Sequence, residues 1–324
     1  MQVIGIEIGG TKLQLGRADQ STGKLIELRR ASINRSDGAS GILKSMSRIL
    51  DEWLPDHHPG QIGIGFGGPI NSASGTVTTS HQVPGWDDFP IVDWMQDHFA
   101  VPTVLGNDCD LACLAESRLG AGKDAGSVFY VTVGTGIGGG FTNDDRLFGL
   151  ERPAIAEIGH LRPGGPGSAE TVEDCASGLG IERRLDRILN ESALEPLLPE
   201  EQIQDLRRKL KQTGSPVSAQ HLAQCAAEGQ PIARRLFDDA ARVLGWALAQ
   251  VMTLMAPEVI VIGGGVSLAD PSVFLGPVRQ YALTDCFPPL RDSLRIEPAA
   301  LGEDVVVRGA VELARLRISG GITG

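Results

Sequence analysis

Residues 127–141 decide the fold, and they read Ser-Val-Phe-Tyr-Val-Thr-Val-Gly-Thr-Gly-Ile-Gly-Gly-Gly-Phe. The first half is rich in β-branched and aromatic residues, which predicts a strand over Ser127–Val133. Five glycines then occupy the seven positions from Gly134 to Gly140, and a second strand is predicted around Gly138–Thr142. So many glycines weaken a fold unless the backbone must approach something closely. The pattern therefore favours a strand, a ligand-binding turn and a second strand.

The ligand that suits this turn is a phosphate group. Thr135 and the N–H groups of the turn match the acceptor oxygens of phosphate. The turn lacks the Gly-Lys-Ser/Thr of a Walker loop, and a strand follows it where a dinucleotide fingerprint would have a helix. A purely structural bend is the alternative, and we expect phosphate binding.

A similar unit opens the chain, where Glu7-Ile8-Gly9-Gly10-Thr11-Lys12 joins two apolar runs. The two glycines would let a bulky anion approach the backbone, while Thr11 and Lys12 add a hydroxyl group and a positive charge. Glu7 stands at a strand end, where its carboxylate could help to hold Mg²⁺, also through water. The alternative is a plain Gly-Gly hairpin turn.

Length and composition limit the classes of protein to consider. The chain has 324 residues, 42% hydrophobic and 21% charged, which is typical of a folded protein of two lobes. Its net charge of −11 argues against nucleic acid or an anionic membrane as the main partner. We expect neither a signal peptide nor a membrane span. The five cysteines lack a Cys-x-x-Cys pair, which favours reduced thiols and a cytoplasmic location.

Hydrophobic spacing predicts the other elements. Strands and helices alternate after an opening antiparallel meander, so the fold class is α/β. The predicted strands are Val3–Ile8, Leu13–Gly16, Lys24–Leu28, Gln61–Phe66, Pro102–Leu105 and Glu258–Ile262. The predicted helices are Ile42–Trp53, Ile91–Phe99, Asp108–Leu119, Pro231–Met255 and Val306–Arg317, with a peripheral helical insertion over Leu185–Gln224.

Two further candidates follow predicted strands. Gly263-Gly264-Gly265 stands at the carboxyl end of an apolar strand, where ligands of α/β proteins usually bind. Asn107-Asp108 opens a helix after another strand, and helix capping is the simple explanation for both side chains. Phosphorylation of an alcohol, however, needs a carboxylate that accepts the hydroxyl proton. Asp108 is the candidate for that role.

The last candidate cluster is Glu157-Ile158-Gly159-His160. Glu157 and His160 are three residues apart, so they could offer hydrogen-bond acceptors and a donor to vicinal sugar hydroxyls. A structural histidine is the alternative.

Taken together, these residues resemble the ROK family of sugar kinases and sugar-responsive repressors, within the actin/hexokinase-like superfamily. The similarity runs along nearly the whole chain. The matching segments are Glu7–Lys12, Gly67-Gly68-Pro69, Pro84-Gly85-Trp86, Asn107-Asp108, Gly134–Gly140, Ala156–His160, Glu173–Gly178, Pro257–Gly265 and Leu301-Gly302.

The resemblance implies roles for individual residues. The first phosphate loop would consist of Glu7, Gly9, Gly10, Thr11 and Lys12. The second phosphate loop and the stretch near the adenosine would consist of Thr132, Gly134, Thr135, Gly136, Gly263, Gly264 and Gly265. Asp108 would be the general base, and the sugar would be bound by Asn107, Glu157, His160, Glu173 and Gly68.

The chain also departs from the family pattern. The family usually has Asp at the position of Glu7, Asp at that of Asn71, and Asn at that of Gln82. Many members have a zinc-binding cysteine cluster after the histidine, whereas residues 161–173 contain no cysteine. We therefore expect no zinc site. Repressor members begin with a helix-turn-helix domain, and this chain begins with the phosphate-loop strand.

The resemblance therefore implies two RNase H-like lobes with a central cleft, of the actin-like ATPase type. We expect a small lobe over residues 1–117 plus a C-terminal helix at about 303–324, and a large lobe over 118–302. The expected function is phosphorylation of a hexose hydroxyl, the 6-hydroxyl of glucose, with ATP and Mg²⁺. Kinases for an N-acetyl-hexosamine, mannose or fructose and a non-catalytic sugar sensor are the alternatives. A homodimer is compatible with this interpretation.

Overall fold

The computed structural model describes residues 1–55, 58–80, 82–149, 155–164, 167–190, 199–211 and 217–320. Its strands are β1 Gln2–Ile8, β2 Lys12–Asp19, β3 Leu25–Ser32, β4 Pro59–Phe66, β5 Ile70–Asn71, β6 Thr76–Val77, β7 Thr103–Asn107, β8 Ser127–Val133, β9 Ile137–Asn143, β10 Arg146–Leu147, β11 Val259–Gly263 and β12 Ile296–Pro298. Its helices are α1 Gly38–Trp53, α2 Ile91–Phe99, α3 Asp108–Leu119, α4 Val172–Ala176, α5 Gly178–Asn190, α6 Glu200–Lys211, α7 Ala219–Ala227, α8 Pro231–Met255, α9 Leu275–Asp285 and α10 Val305–Ile318.

The described residues form two compact units. The first contains those of Met1–Tyr130, Gly140–Ile155 and Ala300–Gly324, and the second those of Val131–Gly139 and Ala156–Ala299. This grouping keeps residues 118–130 with the first unit, whereas the boundary expected from the sequence lies near residue 117. The expected lobe limits stay a prediction. In the described part of the chain, no helix is long and apolar enough to cross a membrane.

The first unit is built on a five-stranded sheet in the order β3-β2-β1-β4-β7. Strands β1, β2 and β3 form the predicted antiparallel meander, while β4 and β7 pair in parallel with β1 and β4 respectively. The carboxyl ends of β1, β4 and β7 therefore lie at one edge of the sheet, which is the usual ligand-binding edge of an α/β fold.

Alternation along β1 sends its side chains to two different helices. Ile4, Ile6 and Ile8 join a buried core that includes residues of α1 such as Met46. On the other face a side chain at Gly5 would overlap the backbone of Val307 in α10. Glycine at this position allows α10 to pack directly on the sheet, and it leaves Glu7 on the same face as α10.

Helix α3, which begins at Asp108, is held at its far end by a buried carboxylate. Glu116 is fully buried, and its Oε1 accepts hydrogen bonds from the N–H groups of Ala300 and Leu301, both at 2.9 Å. Its Oε2 accepts another from the N–H of Ala121 at 2.7 Å. These bonds join α3 to the segment that enters α10, and so stabilise the position of Asp108.

The second five-stranded sheet has the order β10-β9-β8-β11-β12. In the second unit the 25-residue helix α8 is the central helix, and α9 packs closely along it. Close packing is possible because a side chain at Gly245 would lie only 2.6 Å from Cβ of Tyr281. The edge-to-face pair of Phe237 and Phe274 adds to this core.

The predicted elements are largely confirmed. The helix from Asp108 and the strand over Ser127–Val133 have the predicted bounds, and the long helix over Pro231–Met255 does too. The insertion predicted over Leu185–Gln224 contains α6 and overlaps the end of α5 and the start of α7. Its residues 191–198 and 212–216 lie outside the described residues.

Candidate active site

The first glycine turn joins β1 to β2 and is closed by its own backbone. The N–H of Gly9 donates to the carbonyl oxygen of Lys12 at 3.1 Å. Arg35 Nε donates to the carbonyl oxygen of Gly10 at 3.0 Å. A side chain at Gly10 would overlap the amide of Gln82, so the absence of a side chain at Gly10 makes room for Gln82.

Glu7 is buried at the end of β1, with only 6% of the residue exposed. Lys12 Nζ lies 3.2 Å from its Oε1, and Gln14 Nε2 donates to its Oε2 at 2.6 Å. Burial raises the pKa of the Glu7 carboxyl, and Lys12 and Gln14 oppose that rise by stabilising the charged form. The carboxylate is thus held by two donors from the neighbouring strand.

Asn107 caps the helix that Asp108 opens. Its Oδ1 accepts hydrogen bonds from the N–H of Cys109 at 2.8 Å and of Asp110 at 3.3 Å. Its Nδ2 donates to the carbonyl oxygen of Gly68 at 3.3 Å. The capping that the sequence suggested is therefore present, and it orients the amide group of Asn107 towards the Gly67-Gly68 turn.

Asp108 is half-buried at the same sheet edge. Its Oδ1 accepts a hydrogen bond from the N–H of Cys109 at 2.9 Å. Its Oδ2 points to Gly67, where an added side chain would approach to 3.1 Å. The N–H of Gly67 in turn donates to the carbonyl oxygen of Ile8 at 2.9 Å. The structure thus brings Asp108, Gly67 and the first glycine turn together, and the helix N-terminus favours the negative charge of Asp108.

The second glycine turn is held by its backbone. The N–H of Gly134 donates to the carbonyl oxygen of Gly136 at 3.0 Å, and the N–H of Gly178, at the start of α5, donates to the carbonyl oxygen of Gly134 at 2.8 Å. No atom of the described residues would lie within 4 Å of a side chain placed at Gly134. The turn therefore leaves room for a ligand at Gly134.

Glu173 supports the second glycine turn. The sequence did not suggest this role for Glu173. Its Oε2 accepts a hydrogen bond from the N–H of Ile137 at 2.8 Å. A side chain at Gly136 would lie only 2.5 Å from the same oxygen. Glycine at this position is therefore explained by Glu173, a residue that the sequence had placed only at the sugar.

Glu157, His160 and Glu173 interact electrostatically in the second unit. Partial removal from water raises the pKa of the Glu157 carboxyl, His160 lowers it, and the charge of Glu173 raises it further. Glu157 keeps solvent access and precedes the short 3-10 helix Ile158–His160. Ala156, the residue before it, has the unusual φ of 60°. Three of the five predicted sugar-binding residues thus lie on segments that contact each other, since the short 3-10 helix packs against α4.

The third glycine run lies where β11 ends. Gly264 has a φ of 89°, and a side chain there would lie 2.5 Å from the carbonyl carbon of Val133. Glycine is thus needed at this position for its conformation and for close packing on β8. A side chain at Gly265 would meet no atom of the described residues within 4 Å.

Sequence comparison gives the same family along the chain. The model of the ROK family matches residues 3–317. A glucokinase of Halalkalibacterium halodurans is 31% identical over 318 residues, which is 94% of this chain and 92% of that protein.

The chain belongs to the ROK family.

Solved structures of ROK proteins have the same fold. A ROK hexokinase from Thermus thermophilus is 29% identical, with a TM-score of 0.78, over 99% of this chain and 100% of that one. A ROK family glucokinase from Streptomyces griseus, solved with glucose and AMPPNP, is 28% identical, with a TM-score of 0.78, over 97% of this chain and 99% of that one. These matches confirm the predicted α/β fold of the actin-like ATPase type.

Sequence reasoning about this ROK protein missed two side chains next to the candidate site. Gln14 and Arg30 continue the polar contacts of Glu7 across β2 and β3, and the register of the sheet places them opposite one another. The sequence carried a signal for Gln14, because it stands between Leu13 and Leu15 in the apolar part of β2. Nothing in the sequence indicated its partner.

Proposed function

We propose that this chain transfers the γ-phosphoryl group of ATP to the 6-hydroxyl of glucose, with Asp108 as the general base. The observation that carries the proposal is the position of Asp108, at the carboxyl edge of the first sheet and next to Gly67. The match with ROK glucokinases along almost the whole chain supports the choice of ATP and a hexose.

Asp108 would act on the hydroxyl proton of the sugar. The proton passes to its carboxylate while the sugar oxygen bonds to the γ-phosphorus of ATP. The bond from that phosphorus to the β–γ bridging oxygen breaks, and ADP leaves. The N-terminus of α3 favours the charged form of the Asp108 carboxylate, which is the form that can accept the proton.

The remaining residues would hold the two substrates. For the sugar we propose Asn107, Gly68, Glu157, His160 and Glu173. For the nucleotide we propose Glu7, Gly9, Gly10, Thr11, Lys12, Thr132, Gly134, Thr135, Gly136, Gly263, Gly264 and Gly265. The open position at Gly134 supports a phosphate there, since no atom of the described residues would lie within 4 Å of a side chain at Gly134 and a glycine lets a bulky anion approach the backbone.

The residues at the first turn fit Mg²⁺ held through water. Both oxygens of Glu7 already have a protein partner, but a carboxylate has about four acceptor sites and can also accept from a metal-bound water. Among the described residues no three His, Cys, Asp or Glu side chains are grouped so that they could hold a metal ion. The phosphates of the nucleotide and water would therefore supply most ligands of the ion, as is usual for Mg²⁺. When bound, Mg²⁺ would neutralise charge on the β- and γ-phosphates.

The absence of zinc stays a prediction. The loop that replaces the cysteine cluster includes Gly165 and Pro166, which lie outside the described residues. Elemental analysis of the purified protein should find well under one zinc per chain.

A screen of free sugars for ADP release tests the proposed function. We expect turnover with glucose in the presence of ATP and Mg²⁺, and glucose 6-phosphate as the product. Faster turnover with an N-acetyl-hexosamine, mannose or fructose would correct the sugar. Sugar binding without turnover for any member of the panel would contradict a kinase and favour a sugar sensor.

A further inference from the structure

A row of polar side chains crosses three strands of the first sheet. In the antiparallel register Glu7 of β1 lies opposite Gln14 of β2, and Gln14 lies opposite Arg30 of β3. Residues directly opposite in neighbouring strands point to the same face. The row therefore lies on the face that α10 covers, at the end of the sheet next to the first glycine turn.

Gln14 is the central member of the row and is completely buried. Arg30 Nε donates to its Oε1 at 2.7 Å. Its Nε2 donates to Oε2 of Glu7 at 2.6 Å and to the carbonyl oxygen of Glu303 at 3.0 Å. An amide nitrogen has two hydrogens to donate, so both are used and the side chain of Gln14 has no unused donor.

These partners allow only one orientation of the amide. A rotated amide would turn its oxygen towards the carboxylate of Glu7 and the carbonyl of Glu303, and its NH₂ group towards the guanidinium of Arg30. Each of the three contacts would then become repulsive. Arg30 thus orients Gln14, and Gln14 in turn orients Oε2 of Glu7.

The other oxygen of Glu7 faces the glycine turn. Lys12 Nζ lies 3.2 Å from Oε1 of Glu7 and also donates to the carbonyl oxygen of Glu303 at 3.1 Å. Lys12 and Gln14 therefore have the same two acceptors, the carboxylate of Glu7 and the carbonyl oxygen of Glu303. Without Gln14 the carboxylate could rotate so that both of its oxygens face Lys12, the cation with which Glu7 forms an ion pair.

We propose that Gln14, oriented by Arg30, is a positioning residue that keeps the Glu7 carboxylate directed at the water-bound Mg²⁺ of the nucleotide. The step from Glu7 to Mg²⁺ rests on the proposed function, whereas the orientation of Glu7 by Gln14 rests on the contacts above. The consequence is selective: loss of Gln14 should weaken binding of a nucleotide that carries Mg²⁺ more than binding of the nucleotide alone.

Gln14→Met tests this in the full-length protein, since methionine has a similar length and no donor. We expect the dissociation constant of Mg·AMPPNP, measured by calorimetry, to rise about tenfold, the effect of losing one charge-assisted hydrogen bond. The dissociation constant of AMPPNP in EDTA should change by less than about twofold, and the KM for the sugar should not change.

Gln61→Met is the matched control. Gln61 is a buried glutamine of the same sheet, opposite Val3 near the other end of β1. Gln61→Met should lower the melting temperature, as we also expect for Gln14→Met. It should leave the dissociation constants of Mg·AMPPNP and of AMPPNP in EDTA unchanged. Arg30→Met provides a second variant in case Gln14→Met does not fold, because Arg30 is exposed. Arg30→Met should raise the dissociation constant of Mg·AMPPNP by a smaller factor than Gln14→Met does, and should leave that of AMPPNP in EDTA unchanged.

The outcomes separate this inference from the function. Equal losses for both nucleotide forms, or losses no larger than in Gln61→Met, would overturn the role of Gln14 and leave the kinase proposal intact. A wild-type protein that binds neither form would overturn both proposals.

Discussion

The two glycine turns look alike in sequence and are built differently. The turn at Gly9–Lys12 depends on side chains, because Lys12 and Gln14 hold the buried Glu7 beside it. The turn that follows Val133 depends on backbone hydrogen bonds of Gly134, and the carboxylate of Glu173 supports it. Both bring N–H groups to a strand end, and the first adds to them the ion pair between Lys12 and Glu7.

This difference predicts which substitutions each turn will tolerate. In the first turn a new side chain at Gly9 would meet ordinary contacts, the nearest being the carbonyl oxygen of Lys12 at 3.5 Å. Added volume at Gly9 should therefore matter less than a change of charge at Glu7 or Lys12, whereas a side chain at Gly10 would overlap Gln82. In the second turn the open space at Gly134 should matter most, because a ligand would have to occupy it.

The largest effect is expected from Asp108, which shares its sheet edge with the first turn. Asp108→Asn removes the proton acceptor and should lower kcat by about 10²–10⁴-fold, the usual effect of a general base. ATP affinity and melting temperature should change little. Asp110→Asn removes a charge from the same helical turn and should leave kcat near the wild-type value. A variant at Asp108 that keeps a third of wild-type kcat would contradict the assignment.

The second largest effect should come from volume in the second turn. Gly134→Val would place a branched side chain where no described atom now lies. We expect the KM for ATP to rise by about tenfold or more and the KM for the sugar to stay within about twofold, since only phosphate approach is blocked. If only the sugar KM moves, the turn belongs to the other substrate. Gly9→Val, the matched change in the first turn, should raise the KM for ATP by a smaller factor.

A smaller effect is expected at the carboxylate that supports the second turn. Glu173→Gln keeps an acceptor for the N–H of Ile137 but removes its charge, which weakens the hydrogen bond by about 1 kcal/mol. The KM for ATP should therefore rise several-fold together with the KM for the sugar. Steady-state kinetics in which ATP and the sugar are varied separately measure the two KM values independently. A role at the sugar alone would leave the KM for ATP unchanged.

The smallest effect concerns pH. The pKa of Glu157 is raised in the folded chain, so the folded state binds the proton more tightly than the unfolded state does. Its contribution to stability therefore becomes less favourable as the pH rises through the raised pKa. Glu157→Gln removes this dependence, and its melting temperature relative to the wild type should increase from pH 4 to pH 8. A constant difference over this range would contradict the raised pKa.

Sequence patterns predicted most of the first unit because its signals are local. The apolar runs that became β1 and β4 alternate or are continuous over six or seven residues, which is enough to specify a strand. The helix start at Asp108 follows from Asn107, a common capping residue, and the structure shows that cap. Function and capping are therefore compatible at Asn107, although they were alternatives in the sequence.

What could not be predicted depends on partners far along the chain. Gln14 is 289 residues from Glu303, whose carbonyl oxygen fixes its amide. Glu173 is 36 residues from Ile137, whose N–H it accepts. Separations of this length along the chain do not follow the short periods by which sequence patterns reveal helices and strands. A polar residue in a strand also has many possible partners.

The sequence by itself determined the order of strands and helices, the two glycine turns and the acidic residue that begins α3, because propensity and hydrophobic period act within a few residues. Only the tertiary structure decided which glycine faces open space and which lies under a side chain, since Gly134 and Gly136 are alike in sequence. It also decided that Glu7 is held by Gln14, because strand register brings those two side chains together. Contacts of that kind arise from packing, and packing joins residues that the sequence keeps apart.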